Sequence, residues 1–197
     1  MTQAVLSIYC SGSILKGASD EKKLCWTDAE RADVANGSSS KVVFLNPDDP
    51  ITDPTNTLGQ FGRDMYQIMI ASAVVVDARE RRGLGIGVEM AAAAAMGTPV
   101  ITVAPRNGKY RMDELEYRGV KIIDYVHPHV ASLSAVVVDD FESAGAALDK
   151  VGVNTDRRGQ VPAWLEVAIH EYESNVLPND GPMLEALQRL PHIRGES

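Results

Sequence analysis

The chain has 197 residues, 45% of them hydrophobic and 23% charged, with a formal net charge of −8, which describes a folded domain with a sizeable core rather than a disordered segment. The acidic balance, with no basic cluster, argues against a surface for polymeric nucleic acid or for an anionic membrane and leaves room only for a local basic pocket. Cys10 and Cys25 make neither a disulfide framework nor a metal-ligand spacing, no apolar run approaches membrane-spanning length, and no charged segment followed by an apolar one opens the chain, so a cytoplasmic, reducing setting is expected.

Ala4 to Cys10, AVLSIYC, predicts the first strand. Ser11-Gly12-Ser13 follows at its carboxyl end. Such a small-residue turn exposes backbone N–H groups and hydroxyls, as a phosphate or sugar site requires; a plain βα turn uses the same residues. Lys16 adds one cation to the loop. Ser19 is a candidate N-cap for a helix through about Ala35, with Asp20 and Glu21 in its first turn and Trp26 as a packing residue. Lys41 to Leu45 is the second strand, and Asn46 to Asn56, with three prolines, is a loop. Leu58 to Ala71 places Phe61, Met65, Ile68 and Met69 at helical spacing. Near its start, Arg63 and Asp64 read either as a surface ion pair of little energetic weight or with Asp64 directed into a cleft.

Val74, Val75 and Val76 form an unbroken β-branched run, as suits a strand covered on both faces. Asp77 stands at its carboxyl end, where open α/β sheets bind ligands. Gly83, Gly85 and Gly87 allow close backbone approach and positive φ. Glu89 follows, just ahead of five alanines, Ala91 to Ala95. A carboxylate near a helix N-terminus and beside low-bulk walls suits a nucleophile or general base; taken alone, it reads first as a solvated charge.

Gly97-Thr98-Pro99 stops the alanine helix, and Val100 to Ala104 is the fourth strand. Pro105 to Tyr110 is a loop with two cations and a ring, and Val120 to Tyr125 is the fifth strand. His127-Pro128-His129 lacks a supporting third ligand, so neither a metal site nor a cofactor is expected. Val136 to Val138 is a short apolar run, after which Asp139 or Asp140 caps a helix through about Lys150. Two further helices, Ala163 to Val176 and Met183 to Leu190, lie in a C-terminal extension, residues 151–197, that packs on the domain of residues 1–150 or on a partner subunit. The alternation of strand and helix predicts a three-layer α/β sandwich with a mainly parallel five-stranded sheet plus C-terminal helices. RGLGIGVE is neither a dinucleotide-binding fingerprint nor a P-loop.

Taken together, IYCSGSI, FGRD, VVVDARERRGLGIGVEM and GTPVI resemble the nucleoside 2-deoxyribosyltransferase family and its relatives, the nucleotide N-glycoside hydrolases. The resemblance runs from about Ile8 to Phe141. It implies a flavodoxin-like sandwich. It also implies that Glu89 is a nucleophile, that Tyr9 orients it, and that Asp64 serves the leaving base. Gly12 and Ser13 would touch the sugar and its 5′ substituent, and Ser132 or Ser134 would be lent to a neighbouring subunit. Asp77, Gly85, Gly87 and Lys16 complete the expected substrate-binding set.

Two positions depart from the family pattern. Gly83 stands where the transferases carry an aspartate and the nucleotide hydrolases a serine, and Leu15 stands where the hydrolases carry an arginine. Lys16, Arg81 or Arg82 are then the candidates for a phosphate. The expected activity is cleavage of the N-glycosidic bond of a (2′-deoxy)nucleoside or nucleoside 5′-monophosphate, with transfer of the sugar to another base or to water, by a homodimer or higher homo-oligomer. The alternative is a nucleotide-binding or sensor module that uses the same cleft without turnover.

Overall fold

The computed structural model describes residues 4–13, 26–48, 53–80, 83–151 and 161–190. Five strands form one sheet: β1 (Val5–Ser11), β2 (Lys41–Leu45), β3 (Ala73–Asp77), β4 (Val100–Val103) and β7 (Val136–Val138), in the spatial order β2-β1-β3-β4-β7 with every pairing parallel. This is the flavodoxin-like order, and it reverses direction between β1 and β3, the point at which such sheets open a crevice at the strands' carboxyl ends. The three central strands are almost wholly buried, which their apolar, β-branched composition requires of a sheet covered on both faces.

Two separate clusters cover the sheet. On one face α1 (Asp28–Gly37) and α5 (Phe141–Leu148) pack Val34, Phe141, Ala144 and Leu148 against Ile8, Cys10, Val75 and Ile101. Gly37 and Gly145 allow this crossing: a Cβ on Gly37 would lie 2.0 Å from the Glu142 carbonyl oxygen, and one on Gly145 would lie 2.2 Å from that of Val34. On the other face α2 (Thr57–Ile70) and α3 (Leu84–Ala95) enclose Tyr9, Val43, Val74 and Val76. Asn56 caps α2 by accepting from the Gly59 N–H, and Asp140, rather than Asp139, caps α5 by accepting from the Ser143 N–H.

The strand over Val120 to Tyr125 is not part of the sheet. Residues β5 (Arg111–Tyr117) and β6 (Val120–Val126) pair as an antiparallel hairpin of their own, and Val136–Val138 takes the edge position beside β4. The hairpin turns through Arg118 and Gly119, both at positive φ (52° and 76°), the conformation that two-residue hairpin loops favour. Its side chains are largely exposed, so β6 never had the buried faces a central strand needs. After α4 (Pro128–Leu133) the chain returns to the sheet at β7.

Trp26 does not lie on a helix. It precedes α1 with φ of 57°, fully buried, its ring edge-on to Phe141 at 5.1 Å. The earlier part of the helix expected from Ser19 lies outside the described residues. At the other end, α6 (Ala163–Glu171) continues through a π-helical turn, Tyr172–Val176, and a short 3-10 turn, Leu177–Asn179, into α7 (Gly181–Gln188). Leu165, Ile169, Tyr172, Met183 and Leu190 are buried in the same cluster as Tyr9 and Met65, so the C-terminal helices share the core of the sandwich.

Candidate active site

Strand alternation decides which side chains of β1 face α2 and α3. Tyr9 and Ser11 stand two residues apart and so point to the same face, while Ile8 and Cys10 point to the other. Glu89 sits in the second turn of α3, close above that face. The Ser11 hydroxyl donates to Glu89 Oε2 at 2.5 Å. Tyr9 is completely buried, and its hydroxyl meets no partner at hydrogen-bond geometry. It lies near enough to both carboxylates that burial first, then the charges of Glu89 and Asp64, hold its ionisation well above the usual phenol value. Tyr9 is therefore a permanent donor.

Burial also pushes the Glu89 carboxyl above its ordinary range, and the Ser11 hydroxyl and the neighbouring Tyr9 hydroxyl pull it partly back. Asp64 lies mid-helix in α2 rather than at its start, partly buried, and its field reaches Tyr9. The residues Tyr9, Asp64 and Glu89 thus come together at the carboxyl end of β1, with a fourth member, Ser11, which the sequence offered as a turn residue for a phosphate or sugar and not as a partner of Glu89. The signal was present: Ser11 keeps the period-two phase of Tyr9 and ends the strand.

The three glycines belong to α3 and its cap. Gly83 is the N-cap, with no side-chain hydrogen bond, and Gly85 and Gly87 lie within the first helical turns. None has positive φ, contrary to the conformational reading of them. Their use is spatial. A Cβ on Gly83 or Gly87 would meet nothing within 4 Å, and one on Gly85 would lie 3.9 Å from Glu89 Oε1. The absent side chain at Gly85 leaves the approach to that oxygen open.

The remaining expected residues divide. Gly12 and Ser13 follow directly on Ser11. Asp77 ends β3 but is completely buried, and its carboxylate accepts from Arg79 Nε at 2.9 Å and Nη2 at 3.2 Å, with Arg79 also bridging to Glu30. Asp77 is thus committed to an ion pair rather than directed at a substrate. Ser134 Oγ lies 2.6 Å from Thr102 Oγ1, tied to its own sheet, whereas Ser132 is exposed on α4. Lys16, Arg81 and Arg82 lie outside the described residues.

Arg63 has a different partner from the one its neighbour suggested. It is 2% exposed and donates from Nε to Asp180 Oδ2 at 2.6 Å and from Nη1 to the Asn46 carbonyl at 2.9 Å. Asp180 also accepts from the Tyr172 hydroxyl at 2.7 Å and caps α7 through the Met183 N–H at 3.0 Å. A cavity of about 910 Å³ lies beside α3. Leu84, Gly87 and Ala91 form its helical wall, and Tyr110, His127 and Trp164 lie opposite. No known family model matches the chain, and no curated protein matches it in sequence.

Proposed function

We propose that the chain cleaves the N-glycosidic bond of a (2′-deoxy)nucleoside or nucleoside 5′-monophosphate and passes the sugar to another base or to water. The observation that carries this reading is the Glu89 carboxylate, tethered by Ser11 beside the Tyr9 phenol and the Asp64 carboxyl at the reversal point of the sheet. The resemblance of IYCSGSI, FGRD and RGLGIGVEM to the deoxyribosyltransferases assigns the same three residues.

A C–N glycosidic bond breaks through an oxocarbenium-like transition state, in which positive charge builds on the sugar. A carboxylate oxygen of Glu89 attacks C1′. The C1′–N bond breaks, its electron pair goes to the base nitrogen, and Asp64 supplies the proton. The glycosyl ester is then attacked at C1′ by a second base or by water, which gives up a proton and frees Glu89. A desolvated carboxylate is a stronger base and nucleophile than a solvated one, so the raised Glu89 serves this step as long as it remains ionised at neutral pH.

The test is product analysis. The protein is incubated with nucleosides and with their monophosphates, with and without a free acceptor base, and the products are resolved. Release of free base or appearance of a new nucleoside is expected, and Glu89→Gln is expected to lower the rate by several orders of magnitude with the fold intact. Near-normal turnover by Glu89→Gln would rule out the covalent mechanism, and intact substrate after long incubation with the wild type would favour a binding or sensor module.

A further inference from the structure

We infer that Ser11 is a positioning residue for the proposed reaction: it fixes one oxygen of Glu89, Oε2, and leaves the other, Oε1, as the oxygen that faces the substrate across Gly85. This rests on the reading of Glu89 as nucleophile. Three observations on independent parts of the chain meet here. The Ser11 hydroxyl donates to Oε2 at 2.5 Å. Oε1 is the oxygen turned toward Gly85, 3.9 Å from where its Cβ would be, with no other atom outside its own stretch of helix within 4 Å of that point, so the open side of the carboxylate is the side away from Ser11. The Ser11 backbone is itself held: the Trp26 indole N–H donates to the Ser11 carbonyl at 2.9 Å, and that indole is wedged against Phe141 at 5.1 Å and Phe44 at 6.5 Å.

A carboxylate with two free oxygens can rotate and present either one. A short hydrogen bond to one oxygen removes that freedom and keeps the pair of oxygens in a single plane. The remaining oxygen then attacks with its orientation already set. The same bond favours the ionised form, because a hydroxyl donates to a carboxylate more strongly than to a carboxylic acid. Among the described residues, the titratable groups facing Glu89 are Tyr9 from β1 and, around Tyr9, Asp64 from α2 and Cys10. Tyr9 stays protonated, and the Ser11 hydroxyl sits on Oε2 at hydrogen-bond geometry, so Ser11 is the group on this side that most directly supports ionisation.

The test reads the Glu89 carboxyl by carbon-detected NMR in protein labelled at glutamate, assigned by its loss in Glu89→Gln, together with the pH profile of kcat/KM. Three chains are compared: wild type, Ser11→Ala, and Ser11→Cys, whose thiol fills the same space but donates weakly. The Glu89 titration is expected to rise by roughly one to two pH units in Ser11→Ala, the size of a hydrogen bond to a charge, and by less in Ser11→Cys. The acid limb of kcat/KM is expected to move with it while KM changes little. An unmoved Glu89 titration in folded Ser11→Ala overturns the inference, as does a rate loss that is uniform across pH. Because the titration needs no substrate, a shifted titration in a protein that turns over no nucleoside or nucleotide keeps the tether and removes only the proposed activity.

Discussion

The surroundings of Glu89 favour its protonated form. Its carboxyl is raised by burial, so the folded chain holds the proton more tightly than the unfolded chain does. The sign follows directly: the stability associated with this group is fully present below the unfolded-state pKa and is lost as pH rises through the raised folded value. Tyr9 has the complementary role. Its hydroxyl is buried, stays protonated and meets no partner at hydrogen-bond geometry; a buried donor without an acceptor costs stability, and such atoms concentrate at functional sites. Tyr9→Phe is therefore expected to leave the melting temperature unchanged or slightly raised while it slows turnover less than Glu89→Gln does, because the phenol only tunes and orients the carboxylate. Parallel melts and steady-state rates check this. A large loss of stability would mean that the phenol holds the fold, and a rate loss equal to that of Glu89→Gln would mean that it transfers a proton. Glu89 was legible from its place after three glycines past a buried strand, whereas the pairing of Tyr9 and Asp64 with it came from the family resemblance. The commitment of Asp77 to Arg79 was not legible, because Arg79 lies two residues past the strand and its fold-back onto Asp77 and Glu30 is a tertiary event.

At the scale of elements, α2 is the hinge between site and extension. Its FGRD stretch divides its work: Asp64 lies near Tyr9, Gly62 lets α6 cross in contact, and Arg63 anchors the turn into α7. A Cβ on Gly62 would lie 1.9 Å from the Ala168 carbonyl oxygen, backbone against backbone, with no flexible side chain to yield. Gly62→Ala is accordingly expected to force α6 away from α2, strain the buried Arg63–Asp180 pair, and lower stability by about 2–4 kcal/mol, as overpacked or broken buried contacts do. Denaturant unfolding measures this, and a change below about 0.5 kcal/mol would show that α6 repositions at little cost. Elements whose pattern is set by their own burial were readable: β3 and β4 are runs of apolar residues buried on both faces, and α2 repeats its apolar residues at helical spacing. The hairpin was half missed because Arg111–Tyr117, RMDELEY, carries four charges and no buried face, so hydrophobic periodicity had nothing to report. The link between Arg63 and Asp180 spans 117 positions and leaves no local trace.

At the scale of the whole molecule, the case for self-association rests on a different surface from the one the helix count pointed to. The expectation was that two C-terminal helices with apolar faces pack on the domain or on a partner subunit. Those faces are covered within the chain, by α2 and the core cluster that includes Tyr66, Met65 and Tyr9. What stays uncovered is the other side of the same region. Leu84 at the start of α3 is 88% exposed, and Trp164 and Val167, one turn apart on α6, are 57% and 67% exposed. Leu84 and Trp164 border one cavity, and Val167 lies one turn beyond Trp164 on α6, so these exposed apolar residues gather beside α3 rather than scatter singly. A closed homodimer would bury that patch against its own copy, and α4, with exposed Ser132, lines the same cavity through Val130 and Leu133. The proposed homo-oligomer is expected to sediment as a dimer or larger at assay concentration. Val167→Glu, which places a charge one turn from Trp164 at an exposed position, is expected to shift it toward monomer without lowering the monomer's melting transition. Specific activity measured across the same dilution series then separates the roles of the interface. If activity falls with dissociation, the partner completes the site; if the wild type is a fully active monomer, both the dimer and the lending of the α4 segment to a neighbour are excluded.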